Sequence, residues 1–133
     1  AIVMETGGMK GRRREMTRGE LHDILRQGFG AKHIHSEYSM TELLSQAYSK
    51  GQGLYTTPPW MRILLRETTD PLSLLPPESD ARGGIDIIDL ANIDSCCFIA
   101  TEDLGCVHPQ GYFEVLGRLG GADVRGCNLL VAE

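Results

Sequence analysis

No apolar run in this sequence of 133 residues approaches the ~20 residues needed to cross a bilayer. A signal peptide is also lacking, because the apolar opening Ala1–Met4 is short and soon turns polar. Positive charge is scarce: the net charge of −5 argues against non-specific binding of nucleic acid. We therefore expect a cytoplasmic protein with no membrane span and no nucleic-acid partner.

The cysteines are few, and they lack the spacing of a secreted disulfide framework. Reduced thiols are the expectation for Cys96, Cys97, Cys106 and Cys127. Cys106 and His108 could form half of a zinc site, but the sequence has no second pair with ligand spacing. Zinc is therefore not expected.

Residues 1–50 are predicted to be the end of an α/β layer. Ile2–Glu5 has the character of a short buried strand, and Ala31–His35 can form another. Between them, Thr17 and Glu20 match a capping box, which predicts a helix that begins there. The positions expected on the inner face of this helix are Leu21, Ile24 and Leu25. The chain starts without Met on a predicted strand, which suggests a piece of a longer protein.

Residues 51–133 are predicted to form a β-rich subdomain. Short β-prone runs follow one another, separated by Gly, Pro, Asp and Asn. These runs are Leu54–Tyr55, Trp60–Arg66, Ile85–Leu90, Cys96–Ala100 and Tyr112–Leu116. Because no helices separate them, we expect a small, strongly bent sheet or barrel. The fold class is therefore predicted to be α+β.

Two interpretations are open for the segment that follows Tyr38. Ser39 and Glu42 have capping-box spacing, so the segment reads as a turn into a helix that needs no ligand. A helix N-terminus also favours anions, and Thr41 could offer its hydroxyl to a phosphate. Glu42 could then supply an oxygen to Mg²⁺, a hard ion that prefers such ligands.

Two polar groups further along the chain could share a ligand. Asp103 follows an apolar strand, where it could turn the chain or accept two hydrogen bonds from a ribose. Arg118 follows the next predicted strand and Gly117, where it could equally be a surface charge. A strand-turn-strand arrangement would place Asp103 and Arg118 near the mouth of one hairpin.

These segments resemble the later motifs of adenylate-forming enzymes. Tyr38–Glu42 is similar to the Tyr-Gly-x-Thr-Glu motif, with Ser39 in place of Gly. Thr101–Asp103 is similar to Thr-Gly-Asp, with Glu102 in place of Gly, and Gly117–Arg118 to the Gly-Arg before a mobile domain. A narrower resemblance, to the acyl-protein synthetases that include the fatty-acid ligase of bacterial bioluminescence, covers most of the chain. Its segments are Glu5–Arg13, His35–Tyr38, Glu42–Tyr48, Ile87–Asn92 and Arg125–Leu129.

The resemblance implies a role in ATP binding for each matched residue. Tyr38 would flank adenine, Thr41 would contact the α-phosphate, Glu42 would help bind Mg²⁺, Asp103 the ribose, and Arg118 ribose or phosphate. ATP and Mg²⁺ are thus the implied cofactors. A phosphate-binding loop ending in Lys and a late catalytic lysine are lacking from the sequence, so this chain alone is expected to be inactive.

The acyl side of the reaction rests on three further residues. By the resemblance, Gly7 and Gly8 would lie beside the acyl or adenine pocket. Cys127 would accept the acyl group as a thioester, although a small apolar role near a terminus is as good an interpretation. The implied substrate is a fatty acid or another carboxylate, and an acyl-reductase or acyl-transfer protein is an expected partner.

Two other functions stay open. A carboxylate–coenzyme A ligase of the phenylacetate type has the same nucleotide motifs but passes the acyl group to free coenzyme A. A non-catalytic β-rich interaction domain would use Glu42, Asp103 and Arg118 only as a cap, a turn and a surface charge. Apolar surface left open in a piece of a larger enzyme would also favour a homodimer.

Overall fold

The computed structural model describes residues 1–7, 16–77 and 80–121. In these ranges eight strands form one sheet, accompanied by one α-helix, α1, and two short 3-10 helices. The helix α1 spans Arg18–Phe29, and the 3-10 helices span Leu90–Asn92 and Leu119–Gly121. The strands are β1 Val3–Glu5, β2 Ile34–Tyr38, β3 Ala47–Ser49, β4 Tyr55–Thr56, β5 Met61–Arg66, β6 Arg82–Asp89, β7 Phe98–Val107 and β8 Phe113–Arg118.

The order across the sheet is β1-β2-β3-β4-β8-β7-β6-β5. β1 and β2 run parallel, and every other neighbouring pair is antiparallel. β1 and β5 are the two edges, so the sheet of the described residues is open rather than a closed barrel. This confirms the α+β expectation in its bent-sheet form. The proposed division at residue 50 stays a prediction, although the ladder runs on from β3 to β4.

The buried core shows how strongly the sheet bends. Strands from opposite ends of the strand order contribute to a single apolar cluster, which requires the sheet to curl over it. Its buried members are Tyr38, Leu43, Ala47, Tyr55, Met61, Leu65, Ile85, Ile87, Phe113 and Val115. Alternation explains the pattern, because every second side chain of β5 and β6 points to this inner side.

Helix α1 begins as the sequence predicts. The Thr17 side chain accepts from the Glu20 amide, and the Glu20 carboxylate accepts from the Thr17 amide. Of the residues predicted on the inner face, Leu21 and Leu25 are half-buried, but Ile24 is 55% exposed and the buried residue of the helix is His22. The His22 imidazole instead meets Ser36 on β2. Among the described residues no helix has the length and apolar character to span a membrane.

The helix expected after Tyr38 is not present: residues 39–46 form a turn and an irregular loop that leads into β3. Ser39 does not cap a helix, because its hydroxyl donates to the Glu37 carboxylate at 2.8 Å. The amides of Leu44 and Ser45 donate to side chains from the β6 end of the sheet. Tertiary hydrogen bonds therefore replace the local helical ones, and the predicted helix N-terminus for a phosphate is lost.

A buried arginine holds the long strands together. Arg66 is 9% exposed, and its guanidinium bonds the Asp86 carboxylate and the carbonyl oxygens of Ile85 and Thr101. It also lies over Gly84, where an added Cβ would come within 2.7 Å of the Arg66 Cζ. One side chain of β5 thereby fixes the position of β6 and β7 next to the β6–β7 register shift.

Candidate functional site

Three of the predicted site residues meet in the middle of the sheet. The Tyr38 hydroxyl donates to Asp103 Oδ2 at 2.8 Å, across 65 positions of sequence. Tyr38 is 0% exposed and Asp103 is 6% exposed. Asp103 lies directly opposite Arg118 in the β7–β8 ladder. The last residue of β2 and two facing residues of β7 and β8 therefore form one polar centre.

Aromatic packing surrounds the Tyr38 side of this centre. The Tyr38 ring stands edge-on to Phe113 with centroids 5.5 Å apart, and to Tyr55 at 6.1 Å. Burial, and then the charge of Asp103, raise the pKa of Tyr38 far above its ordinary value near 10. The phenol is thus a permanent donor to Asp103. Its ring belongs to the core, and its predicted contact with adenine stays a prediction.

The backbone at Asp103 is fixed by a threonine that the sequence analysis did not single out. The Asp103 amide donates to Thr101 Oγ1 at 3.1 Å, and the Thr101 hydroxyl donates to the Ile85 carbonyl at 2.8 Å. Thr101 is buried, so this relay operates away from bulk water. It fixes the middle of β7 against β6 and holds the backbone of Asp103 in its place.

Arg118 is held from the solvent side. The Arg118 guanidinium donates to the Glu102 carboxylate at 2.6 Å. The Arg118 side chain is 22% exposed and the Glu102 side chain is 73% exposed. Gly117 has a φ of 149°, a conformation that other residues rarely adopt, and it precedes Arg118 at the end of β8. The Gly-Arg order thus has a local reason, since the glycine permits the turn of the backbone that presents the arginine beside β7.

Thr41 and Glu42 lie together on an exposed turn three and four residues after Tyr38. The Leu43 amide closes this turn on the Met40 carbonyl at 3.1 Å. Three residues of chain reach at most about 11 Å, so Thr41 lies within that distance of Tyr38, measured between Cα atoms. The structure therefore keeps the Thr41–Glu42 turn close to Tyr38, the donor to Asp103.

Asn92 clamps the turn from the other side. Its amide nitrogen donates to the Glu42 carbonyl at 2.9 Å, and its amide oxygen accepts from the Leu44 amide at 2.8 Å. Asn92 is 5% exposed, so both hydrogen bonds are protected from water. The backbone of the turn is therefore fixed, while the Thr41 and Glu42 side chains remain exposed.

A buried aspartate completes this anchor. Asp89 is 0% exposed and accepts three hydrogen bonds, from the Ser45 amide, the Ser45 hydroxyl and the Ala91 amide. Trp60 adds a fourth hydrogen bond to this cluster, because its indole nitrogen donates to Ser45 Oγ at 2.9 Å. Sequence reasoning missed Asp89 and Asn92 as positioning residues. The signal was present, since both are polar residues that follow the alternating apolar run of β6.

The fit to a magnesium ion rests on Glu42. No group of three or more His, Cys, Asp or Glu side chains suited to a metal occurs among the described residues. Mg²⁺ commonly keeps several waters and takes one or two carboxylates together with substrate phosphates. An exposed carboxylate on a fixed turn is suited to that use. Glu42 would then hold the ion only when a phosphate is also present.

The glycine pair falls at the border of what the structure describes. Gly7 follows β1 with a φ of 78°, a left-handed conformation that suits glycine. Close to it in sequence, Glu5 accepts from His22 at 3.2 Å, and Arg18 lies 4.0 Å from the same Glu5 oxygen. Two other predicted site residues, Gly8 and Cys127, lie outside the described residues.

Solved structures of ligases share this fold. Apo MatB from Rhodopseudomonas palustris matches with a TM-score of 0.60 and 16% identity, over 93% of this chain and 26% of that one. A benzoate CoA ligase from Burkholderia xenovorans LB400 has a TM-score of 0.54 and 19% identity, over 88% and 25%. O-succinylbenzoate coenzyme A synthetase (MenE) from Bacillus subtilis, in complex with AMP, has 0.51 and 22%, over 74% and 24%.

The described part of this chain therefore shares its fold with a part of these ligases. No family model and no curated protein sequence matches the chain. The chain spans about a quarter of the length of the ligases it resembles. The likeness to these ligases thus concerns the fold, a small mixed sheet with one helix among the described residues. Activity and substrate are proposed below from the geometry of the site.

Proposed function

We propose that this chain supplies the ribose- and magnesium-binding part of an ATP-dependent acid–thiol ligase. One observation carries the proposal: the three sequence segments that resemble adenylate-forming motifs are brought together around the Tyr38–Asp103 hydrogen bond. Arg118 faces Asp103 across the ladder, and Thr41 follows Tyr38 by three residues. An ATP-bound MatB structure has the same fold, with a TM-score of 0.55 and 18% identity.

Each side chain suits one part of an adenylate. A carboxylate has about four acceptor sites, so Asp103 can keep the Tyr38 hydroxyl and also accept a ribose hydroxyl. Arg118 brings positive charge beside the same sugar, and its pairing with Glu102 restricts its movement. The Thr41 hydroxyl would donate to the α-phosphate. Glu42 would hold a Mg²⁺ ion, whose charge offsets that of the phosphates.

The reaction proceeds in two transfers. A substrate carboxylate oxygen attacks the α-phosphorus of ATP, and the bond from that phosphorus to the bridging oxygen breaks to release pyrophosphate. A thiolate then attacks the acyl carbon of the acyl-adenylate, a thioester forms, and AMP leaves with the electron pair of the broken carbon–oxygen bond. This chain contributes by orienting the ribose and α-phosphate and by offsetting negative charge.

The acceptor thiol defines the finer proposal. We assign it to Cys127, which makes the whole protein a cytoplasmic acyl-protein synthetase that acts on a fatty acid and serves an acyl-reductase or acyl-transfer partner. The sequence resemblance supports this assignment. Free coenzyme A is the alternative acceptor. It is supported by the benzoate CoA ligase and the O-succinylbenzoate coenzyme A synthetase that share this fold.

Labelled substrate separates the two acceptors. The full-length protein is incubated with radiolabelled fatty acid, ATP, Mg²⁺ and coenzyme A, and acid-stable, hydroxylamine-labile label is measured on protein and on coenzyme A. Label on the protein that disappears in Cys127→Ser supports the acyl-protein synthetase. Label only on coenzyme A supports the alternative, and no ATP–pyrophosphate exchange contradicts both and favours an interaction domain.

The ribose role of Asp103 has a neighbouring control. Asp103→Asn should reduce ATP–pyrophosphate exchange by about tenfold or more, because a charge-assisted hydrogen bond to the ribose is weakened. Glu102→Gln changes the adjacent carboxylate, which is 73% exposed, and should have a much smaller effect. Equal effects of the two substitutions would contradict the assignment of the ribose to Asp103.

A further inference from the structure

A cavity of about 340 Å³ lies along the outer edge of β5, and Phe113, which packs against Tyr38, forms part of its wall. Four consecutive residues, 62–65, line it, and residues from both faces of a strand can meet a single cavity only at the strand edge. The opposite wall comes from the β7–β8 turn and the end of β4. The apolar and polar wall residues that matter here are Thr57, Ile63, Leu65, Leu75, His108 and Phe113.

The hydrogen-bond pattern of β5 shows which backbone groups face this cavity. The Leu90 amide donates to the Trp60 carbonyl at 3.0 Å, which places even-numbered residues of β5 in hydrogen-bonded pairs with β6. Odd-numbered residues therefore point their N–H and C=O groups outward. Two of them are already paired, because Leu75 N–H donates to the Leu65 carbonyl and Met61 N–H donates to the Pro58 carbonyl.

Ile63 lies between these two occupied positions. By the same alternation, its N–H and C=O point outward into the cavity, and no backbone hydrogen bond from another described loop reaches them. One donor and one acceptor on the same strand residue match one residue of an added antiparallel strand. Edge strands are ready templates for such addition.

We propose that this cavity is a docking site for an extended peptide segment of a partner protein, which adds a short strand to β5 at Ile63. The peptide residue opposite Ile63 exchanges two backbone hydrogen bonds with it. The neighbouring side chain of the peptide is large and apolar, because Leu65, Leu75 and Phe113 form the cavity wall. This site is independent of the proposed nucleotide chemistry.

The charge of the cavity wall favours a particular type of residue beside the apolar anchor of the peptide. Among the residues that the structure describes, the cavity wall includes Arg62, an exposed cation, and no Asp or Glu side chain. The other titratable wall residue, His108, lies 3.6 Å from Glu114 and is thereby partly engaged. A peptide with an acidic residue next to its apolar anchor is therefore the complementary partner, and a lysine in that place is disfavoured.

The probe is a blocked peptide of sequence Thr-Val-Val-Leu-Asp, in which the central valine lies opposite Ile63 and the leucine is the apolar anchor; it is titrated against the full chain by the fluorescence of the protein's single tryptophan, Trp60. The matched control carries an N-methyl group on the central valine amide, which removes the backbone donor and keeps every side chain. We expect the N-methyl peptide to bind about tenfold more weakly. Equal affinities would show binding to an apolar pocket without strand addition and would overturn the proposal, as would an absence of binding to either peptide.

Amide exchange identifies the strand residue involved. The Ile63 amide should exchange rapidly in the free protein and more slowly with the peptide bound, whereas the Arg62 and Leu64 amides, already paired with β6, should not change. Ile63→Pro removes the N–H that faces away from β6 and would donate to a peptide carbonyl, so it should weaken the binding of both peptides. Protection that spreads equally over all three amides, or peptide-independent self-association of the chain, would overturn the proposal.

Discussion

The two halves of the sheet are built differently. β1 to β4 have two to five residues each, whereas β5 to β8 have six to ten and form one antiparallel ladder. The junction between β4 and β8 has a single register pair, Tyr55 with Phe113. The Tyr38–Asp103 hydrogen bond spans the same junction. The long half is held mainly by its ladder, and the short half by side chains that reach across the junction.

The largest effect is expected from removing the aromatic ring of Phe113 at the junction between β4 and β8. Phe113 is 1% exposed and contacts both Tyr38 and Tyr55, so Phe113→Ala should lower the free energy of unfolding by about 3–5 kcal/mol. Phe98 is 67% exposed on β7 of the long half, and Phe98→Ala should cost under about 1 kcal/mol. Urea unfolding of both variants measures the difference, and equal losses would contradict the junction.

Asp89 tests whether the turn depends on its anchor in the long half. Asp89→Ala leaves the Ser45 and Ala91 amides without their acceptor and should destabilise the fold by about 3 kcal/mol. Exposed Asp94, five residues later, provides the control, and Asp94→Ala should be close to neutral. Urea denaturation combined with Trp60 fluorescence measures both, because the indole bonds Ser45 beside Asp89. An unchanged midpoint in Asp89→Ala would contradict the anchor.

Tyr38→Phe is expected to have a smaller effect that depends on pH. The variant leaves buried Asp103 without this donor, which should cost about 1–3 kcal/mol near neutral pH. Burial raises the pKa of Tyr38 above its ordinary value near 10, so the stability linked to its proton is complete below that pH. As pH rises above about 10, the unfolded phenol ionises and the folded one does not, and stability falls. Chemical unfolding at pH 8 and pH 11 should show that the free energy of unfolding falls less between these two pH values in Tyr38→Phe than in the unsubstituted protein.

The smallest effect is expected at the exposed ion pair. Glu102 is 73% exposed in its pair with Arg118, and exposed pairs contribute little. Glu102→Gln should change the free energy of unfolding by less than about 0.5 kcal/mol. A double-mutant cycle with Arg118→Gln isolates the coupling, and a coupling above about 2 kcal/mol would show that the pair, rather than the buried centre, holds this end of β8.

Local signals gave correct predictions where local physics decides. Thr17 and Glu20 form the predicted capping box, and the predicted run Trp60–Arg66 agrees with β5, Met61–Arg66, to within one residue. The same capping pattern at Ser39 and Glu42 failed, because Asp89 and Asn92 bind the following backbone from 44 to 50 residues away. For a similar reason His22 is the buried residue of α1 whereas Ile24 is exposed, since the partners of His22 are on β1 and β2.

The candidate site was predictable as a set of residues but not as a geometry. Motif similarity in sequence identified Tyr38, Asp103 and Arg118, and it could not show that the Tyr38 hydroxyl bonds Asp103 directly. Such a hydrogen bond depends on how β2, β7 and β8 bend around Phe113, which no spacing of residues encodes. The buried role of Arg66 was likewise hidden, because its side chain follows the period of a half-exposed strand.

The central claim is that the turn of one half and the β7–β8 ladder of the other hold a single nucleotide. Paramagnetic broadening by ATP with Mn²⁺, a spectroscopic substitute for Mg²⁺, tests it in the isotope-labelled chain. We predict that the amides of Thr41, Glu42 and Asp103 broaden together on addition of the complex, and that Glu42→Gln weakens the broadening at all three. Broadening confined to one half of the sheet, or unaffected by Glu42→Gln, would contradict the shared nucleotide site.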